Sequence, residues 1–468
     1  MSNNKLFSPL RFTFLNLSHE FKGTINWNFD GHGKLWNYNL QYFDFLHDPS
    51  IDHITKQHLV DDFSNQLLSG HIKPEPYPVS LRIINRFLFY GDTGYTSKVF
   101  TDALKYQVHY LECNLEYHIL ANHYLENLLS LSVASIGLQD GALSRKIFPK
   151  LRAQLEEQLF KDGGHYERSP MYHCIVLSRL LLLYELSINN PGKFSNFQEL
   201  KPDIEAMCGW LSAFTYTNGT YELVNDSIKN IAPNPNELLK VATSLGINTK
   251  QVKLADSGFR KFKSNHYEAL VDVGNISPSY QPGHTHAGML AFNIQYHGRP
   301  FIIDMGTSTY NASERRYFER STSAHNTVVV NQKDQFQIWS SFRVGARAKI
   351  SIIKETEKTI SASHNGYSQY GIVHQRDFSF HDHIEVKDYL IGKDCTSTLY
   401  IYFDNTIRNV SLNFNEISIS EKIKIRFDDP LNVLIEQYQQ SIGFNKFEEA
   451  FLVKVLFKKT ISTQISFP

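Results

Sequence analysis

The sequence predicts a multidomain α+β protein: a helical N-terminal half followed by a sandwich of antiparallel β-sheets. Three observations predict it. The chain has 468 residues, too many for one ordinary hydrophobic core, so two or more domains are expected. Over residues 50–250 the apolar positions recur at intervals of three and four, the period of a half-buried helix. Beyond about residue 258 they gather into short β-branched and aromatic runs, often alternating with polar residues, as strands do. The change falls within "LADSGFRKFKSN" (254–265), giving a helical domain over 1–257 and a sandwich over 258–468.

The helical half is read from "HITKQHLVDDFSNQLLSG", "YTSKVFTDALKYQVHYLECNL", "HYLENLLSLSVASIGL", "SRKIFPKLRAQLEEQLF" and "YHCIVLSRLLLLYELSI". Several end at Gly or Asn, which stop helices. The links between them are short, which suits consecutive helical hairpins. The strands are read from "FIIDMG", "NTVVV", "AKISIIKE", "HIEVKDYLI", "STLYIYF", "NVSLNF", "KIKIRF", "FLVKVLF" and "STQISF", with Asn, Gly, Asp and Lys between them. Many short strands at this spacing indicate an antiparallel sandwich. No internal repeat or low-complexity tract interrupts the pattern.

Composition narrows the function. Lys plus Arg and Asp plus Glu both number 47; a nucleic-acid groove would need a basic excess. Aromatic residues are abundant, with 33 Phe, 25 Tyr and 4 Trp. They serve a core first, and a cleft with ring faces for sugars second. The four cysteines, Cys113, Cys174, Cys208 and Cys395, form no CxxC pair, so neither a disulfide framework nor a cysteine zinc site is expected. No run of 18 apolar residues suggests a membrane span. The opening "MSNNKLFSPLRFTFLNLSHEF" does not read as a signal peptide; the expected location is cytoplasmic, with a periplasmic or exported one left open.

Three polar motifs break the apolar patterns. In "ILANHYLENLL", Asn122 and His123 interrupt an apolar helix, as a cap, a satisfied buried pair or a functional pair. In "KDGGHYERSPMYHCIVL", Ser169-Pro170 reads as an N-cap followed by Pro at the first helical position. Tyr172 then lies in the first turn, where the helix dipole favours an anionic group. In "PGHTHAGMLAFNIQYHGRPFIIDMGTSTY" (282–310), His284 and His286 are two residues apart, the spacing that puts side chains on one side of a strand. Asp304 sits in an apolar strand-like run and His325 precedes another. Two imidazoles and a carboxylate on neighbouring strands are either a hydrogen-bonded core set or a Zn²⁺ site.

No nucleophile elbow, P-loop or dinucleotide-binding glycine pattern is present. No close carboxylate pair stands out, which disfavours an ordinary glycosidase. Asn, His and Tyr together suit β-elimination at a uronic acid. An amide and imidazoles offset the charge of the substrate carboxylate, a Tyr or His removes the C5 proton, and a Tyr protonates the departing O4.

These motifs together resemble the heparinase II/III-like family of polysaccharide lyases, which is related to alginate lyases. The resemblance rests on "WNYNLQYFDFL", "EPYPVSLRIINRF", "NHYLENLLSL", "DGGHYERSPMYH", "YQPGHTHAGMLAFNI", "IIDMGTSTY", "RSTSAHNTVVVN" and "WSSFRVGARA", in that order along most of the chain. It implies an incomplete (α/α) toroid followed by an antiparallel β-sandwich. It implies catalytic roles for Asn122, His123, Tyr172 and His284, with Tyr166 competing with Tyr172. Tyr310, Arg82 and Arg320 are further candidates for substrate contact, the two arginines being alternatively structural ion pairs. His286, Asp304 and His325 match structural zinc ligands. Many relatives read His-Ala-Asp where this chain has His286-Ala287-Gly288, so a carboxylate is missing beside the zinc residues. The implied partner is an acidic polysaccharide or oligosaccharide. The alternatives are a hydrolase or other glycan-modifying enzyme, and a non-catalytic glycan-binding protein of capsule, O-antigen or exopolysaccharide assembly.

Overall fold

The protein is described from a computed structural model covering residues 10–420 and 422–468. Residues 1–9 of the stretch read as lacking a signal peptide lie outside the described residues. Chain contacts divide the protein into two compact units, Met1–Gln158 with Ser178–Ile204, and Leu159–Leu177 with Glu205–Pro468. A cut at 257/258 marks something different: the passage from the last helix of the N-terminal series, which ends at Ser244, to a strand that begins at Phe259.

Among the described residues nine α-helices precede that passage: α1 Lys34–Tyr42, α2 His53–Leu68, α3 Pro76–Thr93, α4 Lys98–Cys113, α5 Ala121–Gly137, α6 Gly141–Gln158, α7 Pro170–Asn189, α8 Lys201–Phe214 and α9 Pro235–Ser244. Their ends follow local chemistry. Asp52 caps α2 by accepting the Thr55 N–H at 2.9 Å. Ser97 caps α4 by accepting the Phe100 N–H at 3.0 Å. Such caps satisfy the donors that a helix start leaves bare. Pro76 opens α3, and Gly94, with φ 66°, closes it.

In the first unit α3 packs against α1, α4 and α5, and α5 against α6. Side chains of α5 are buried almost all round, the mark of a central helix. Arg82 and Arg86 of α3 are fully buried. Arg82 donates to the Gln41 carbonyl at 2.7 Å and lies over the Phe63 ring at 4.4 Å. It therefore ties helices together through carbonyl and ring contacts.

In the second unit a four-stranded meander runs Phe259–Lys263, Tyr267–Asp272, Phe292–Tyr296, Arg299–Ile302. An eight-stranded sheet begins with Ile350–Glu355, Thr359–His364, Ile372–Phe380 and Ile384–Gly392; Thr460–Ser466 then joins it to the smaller strands. A third sheet contains Asn432–Gly443, Lys446–Phe457, Ser397–Tyr402 and Val328–Val330. Among the described residues these strands pair antiparallel throughout. One apolar core takes side chains from all three sheets, among them Phe292, Val328, Phe378, Val386, Leu399 and Val453. The tenth helix, α10 (Glu314–Arg320), lies between the meander and Val328–Val330 in sequence.

Of two stretches expected as strands, one ends early and the other forms none. The strand of "FIIDMG" ends at Ile302, because the Asp304 N–H goes instead to the Glu222 carboxyl at 3.0 Å. Residues 282–290 form no strand of their own. Their backbone groups bond to scattered segments: the His284 carbonyl to Asp226, Ala287 N–H to the Arg320 carbonyl, and His286 N–H to Asn225 Oδ1.

Candidate active site

The second unit gathers most of the expected residues around one carboxylate that the sequence did not single out, Asp226. It is fully buried, and a lone buried carboxylate would be costly. Here each oxygen is filled. His284 Nδ1 donates to Oδ2 at 2.8 Å, and His286 Nε2 donates to Oδ1 at 2.8 Å. Arg316 of α10 grips both oxygens, at 2.5 and 2.7 Å. Burial would raise the Asp226 pKa, but Arg316 and the two imidazoles outweigh it and hold the group well below the usual carboxylate range. The side chain is therefore an anion, and a carboxylate only accepts. His284 must carry its hydrogen on Nδ1, leaving the Nε2 lone pair for chemistry. His286 carries its hydrogen on Nε2. Burial pushes His286 down to about 4 despite Asp226, so it is neutral near pH 7.

Local structure explains the assembly. Ser169 caps α7, accepting the Tyr172 N–H at 3.3 Å. The same hydroxyl donates to the Asp226 carbonyl at 2.8 Å. One serine thus starts the helix and fixes it beside the carboxylate. The result puts the Tyr172 ring 4.3 Å from the His284 ring and its hydroxyl 3.3 Å from that of Tyr310. Tyr310 is half-buried, with the Arg316 guanidinium 5.0 Å from its ring. Burial holds its pKa well above the ordinary value, so it stays a neutral phenol. Phe342 flanks both His284 and Tyr310, at 5.8 and 5.3 Å.

The remaining residues fall into place around this cluster or apart from it. Tyr166 pairs its hydroxyl with Tyr280 at 2.9 Å. Arg320 is fully buried; it donates to the Thr285 and Ser340 carbonyls, each at 3.1 Å. It thereby props the loop that carries His284 and His286, and among the described residues it makes no carboxylate pair. In the first unit, Asn122 and His123 occupy the first turn of α5. Asn122 is buried. His123 is partly exposed and places Nδ1 3.0 Å from Glu116.

His325 Nδ1 donates to Asp304 Oδ2 at 2.7 Å, and its ring lies 5.4 Å from that of His286. The Nδ1 of His286 and the Nε2 of His325 are buried without a hydrogen-bond partner among the described residues. Each ring is thus oriented by a carboxylate and keeps one bare nitrogen, as metal-bound histidines do. That gives two donors, whereas a closed zinc site takes four. Asp304 also accepts the Gly306 N–H, and among the described residues no group of three or more His, Cys, Asp or Glu is arranged to hold a metal. A Cβ at Gly288 would meet the His325 ring at 3.0 Å, so the glycine leaves room for this ring position.

Comparison with known proteins identifies the family and the fold. The Heparinase II/III N-terminus family matches residues 100–243, and the Heparinase II/III-like, C-terminal family matches residues 247–446. Between them they span most of the chain, which belongs to the heparinase II/III-like family of polysaccharide lyases. A crystal structure of heparinase III has a TM-score of 0.73 at 15% identity, covering 96% of this chain and 80% of that one. The heparan sulfate lyase HepC from Pedobacter heparinus has a TM-score of 0.64 at 16% identity, covering 96% and 79%. No curated sequence matches. At these identities the structural likeness speaks to the fold: a toroid-type helical region followed by antiparallel β-sheets.

Of the cluster, Asp226 and Arg316 were not legible as site residues. Asp226 lies in "LVNDSIKN", which reads as an ordinary turn, and 58 residues separate it from His284. Only the three-dimensional meeting reveals it.

Proposed function

We propose that the protein cleaves a uronic-acid-containing glycan by β-elimination. The observation that carries this reading is the pairing of Tyr172 with His284, 4.3 Å apart as rings, with His284 Nδ1 fixed on Asp226 at 2.8 Å. An orienting carboxylate on Nδ1 leaves Nε2 as a directed base, the arrangement that hydrolytic triads use. In the proposed step His284 Nε2 takes the C5 proton. The C5–H electron pair becomes the C4=C5 double bond, the C4–O4 bond breaks, and Tyr172 protonates the leaving O4. No water is consumed, and the new chain end is an unsaturated uronate. Tyr310, a neutral phenol at hydrogen-bond distance, stabilises the tyrosinate that Tyr172 becomes. Asn122 and His123, matched by the family motif, are assigned to the substrate carboxylate and proton transfer.

The test is a panel of uronate polysaccharides followed by ultraviolet absorbance and product mass. Product should appear without added water. Tyr172→Phe and His284→Gln should each lower kcat by about 10²–10⁴-fold while the protein stays folded. A product one water heavier would replace elimination with hydrolysis. Glycan binding with no turnover on any substrate would leave only a binding protein.

A structural zinc ion is proposed at His286 and His325, supported by their two bare nitrogens. It would cross-link the loops carrying the two rings, and it enters no catalytic step above. Metal analysis of the purified protein and a zinc-dependent rise in Tm, lost in His325→Ala, are the expected results; a metal-free protein indifferent to zinc rules the site out.

A further inference from the structure

We infer that Glu116 is the positioning residue of His123, fixing its orientation and its tautomer; this rests on the reading that gives His123 a part in the reaction. Glu116 is buried while the His123 side chain is 31% exposed, so the clamp is inside and the ring is accessible. Glu116 Oε1 lies 3.0 Å from His123 Nδ1. A carboxylate at that distance requires the hydrogen on Nδ1, which makes Nε2 the atom that exchanges protons. The Tyr77 ring, 4.3 Å away and tilted by 34°, limits rotation from one side.

Glu116 is itself held. Asn127, fully buried, donates Nδ2 to Glu116 Oε2 at 3.0 Å and accepts the Glu116 N–H on Oδ1 at 2.9 Å. One amide therefore reads both the side chain and the backbone of the glutamate. The Glu116 carbonyl accepts the Leu120 N–H at 2.9 Å, closing the turn into α5. That turn is strained. Leu120 has φ 59° and ψ −146°, and Ala121 has φ 50°, conformations that favour glycine. Two successive non-glycine residues stay there only if the surroundings over-determine them. What the strain achieves is the aim of the next two residues, Asn122 and His123. The second unit repeats the device, with Asp226 on Nδ1 of His284.

The test joins two measurements on the full chain. The first is ring ¹⁵N NMR of histidine-labelled protein, with His123 assigned by its loss in His123→Gln. The wild type should show the neutral His123 ring protonated on Nδ1, and Glu116→Gln should lose that preference. The second is kinetics. Glu116→Gln should lower kcat about tenfold or more with KM within about threefold, and Glu116→Asp, which keeps the charge, should recover part of the loss. A wild-type ring protonated on Nε2 overturns the inference whether or not the variants fold. So does Glu116→Gln with unchanged tautomer and kcat. If no uronate yields product, the lyase reading fails, and the NMR result still decides the role of Glu116.

Discussion

Asp226 shows how much one side chain can decide. Four nitrogen donors converge on it, and Arg316 is buried against it. Replacing Asp226 by Asn keeps the shape but strands the guanidinium without its counter-charge. Removing one partner of a buried pair costs about 3–5 kcal/mol, and urea unfolding of Asp226→Asn should show a loss of that size. Activity should fall with it, because His284 loses the group that fixes its tautomer. Gly288 makes the opposite case, a residue whose absence of side chain matters. Gly288→Ala would press on the buried His325 ring at 3.0 Å, and such crowding costs about 1–3 kcal/mol, measurable as a lower Tm. At this scale the sequence revealed the histidines and tyrosines, whose types and spacing are distinctive. It concealed Asp226 and Arg316, whose meaning lies in contacts 90 residues apart.

Among the elements, the start of α7 was the most legible. Ser-Pro announces a cap and a first turn, and the helix begins at Pro170. Ser169→Ala removes the cap bond and the link to the Asp226 carbonyl. The expected cost is about 1–2 kcal/mol, read by denaturant unfolding, with a larger fall in kcat than that destabilisation explains because Tyr172 loses its anchor. By length and composition α7 would also pass for a membrane span, yet most of its apolar stretch is buried in the protein. Strands were legible where alternation was apolar, as in Ile384–Gly392. The neighbouring Ile372–Phe380 was not, because its inward positions include His374 and Arg376. Arg376 meets Asp388 directly across the ladder, through bonds of 2.6 and 3.0 Å, and donates on to the Leu290 and Asn326 carbonyls. A periodicity argument sees polar residues there and marks no strand; their mutual satisfaction makes it one.

For the whole molecule, the two architectural halves were readable from the change of period. The compact units were not, because α7 and α8 run on unbroken in sequence while contributing to both. The burial of histidine is the global electrostatic feature. Burial pushes His165 down to about 3 and His173 to about 4, and lowers His364 well below its ordinary value, with His374 adding to the effect. Each is a group whose folded form resists protonation. The unfolded chain binds these protons near pH 6.5 and the native chain does not, so stability is full above about pH 6.5 and is lost as pH falls toward 4. Thermal melts across that window should show a steep acid-side decline in Tm, and a flat profile would contradict the burial of these rings.

The convergence on Asp226 has a temporal side as well. Ser169, the 284–286 loop, Thr307 and Arg316 all meet it, so no early fragment of the polypeptide contains a working version. Contacts this far apart along the chain close late. A refolding sample should therefore regain its helical signal well before its first turnover, and a chain nicked between positions 226 and 284 should recover activity only when both pieces are present together.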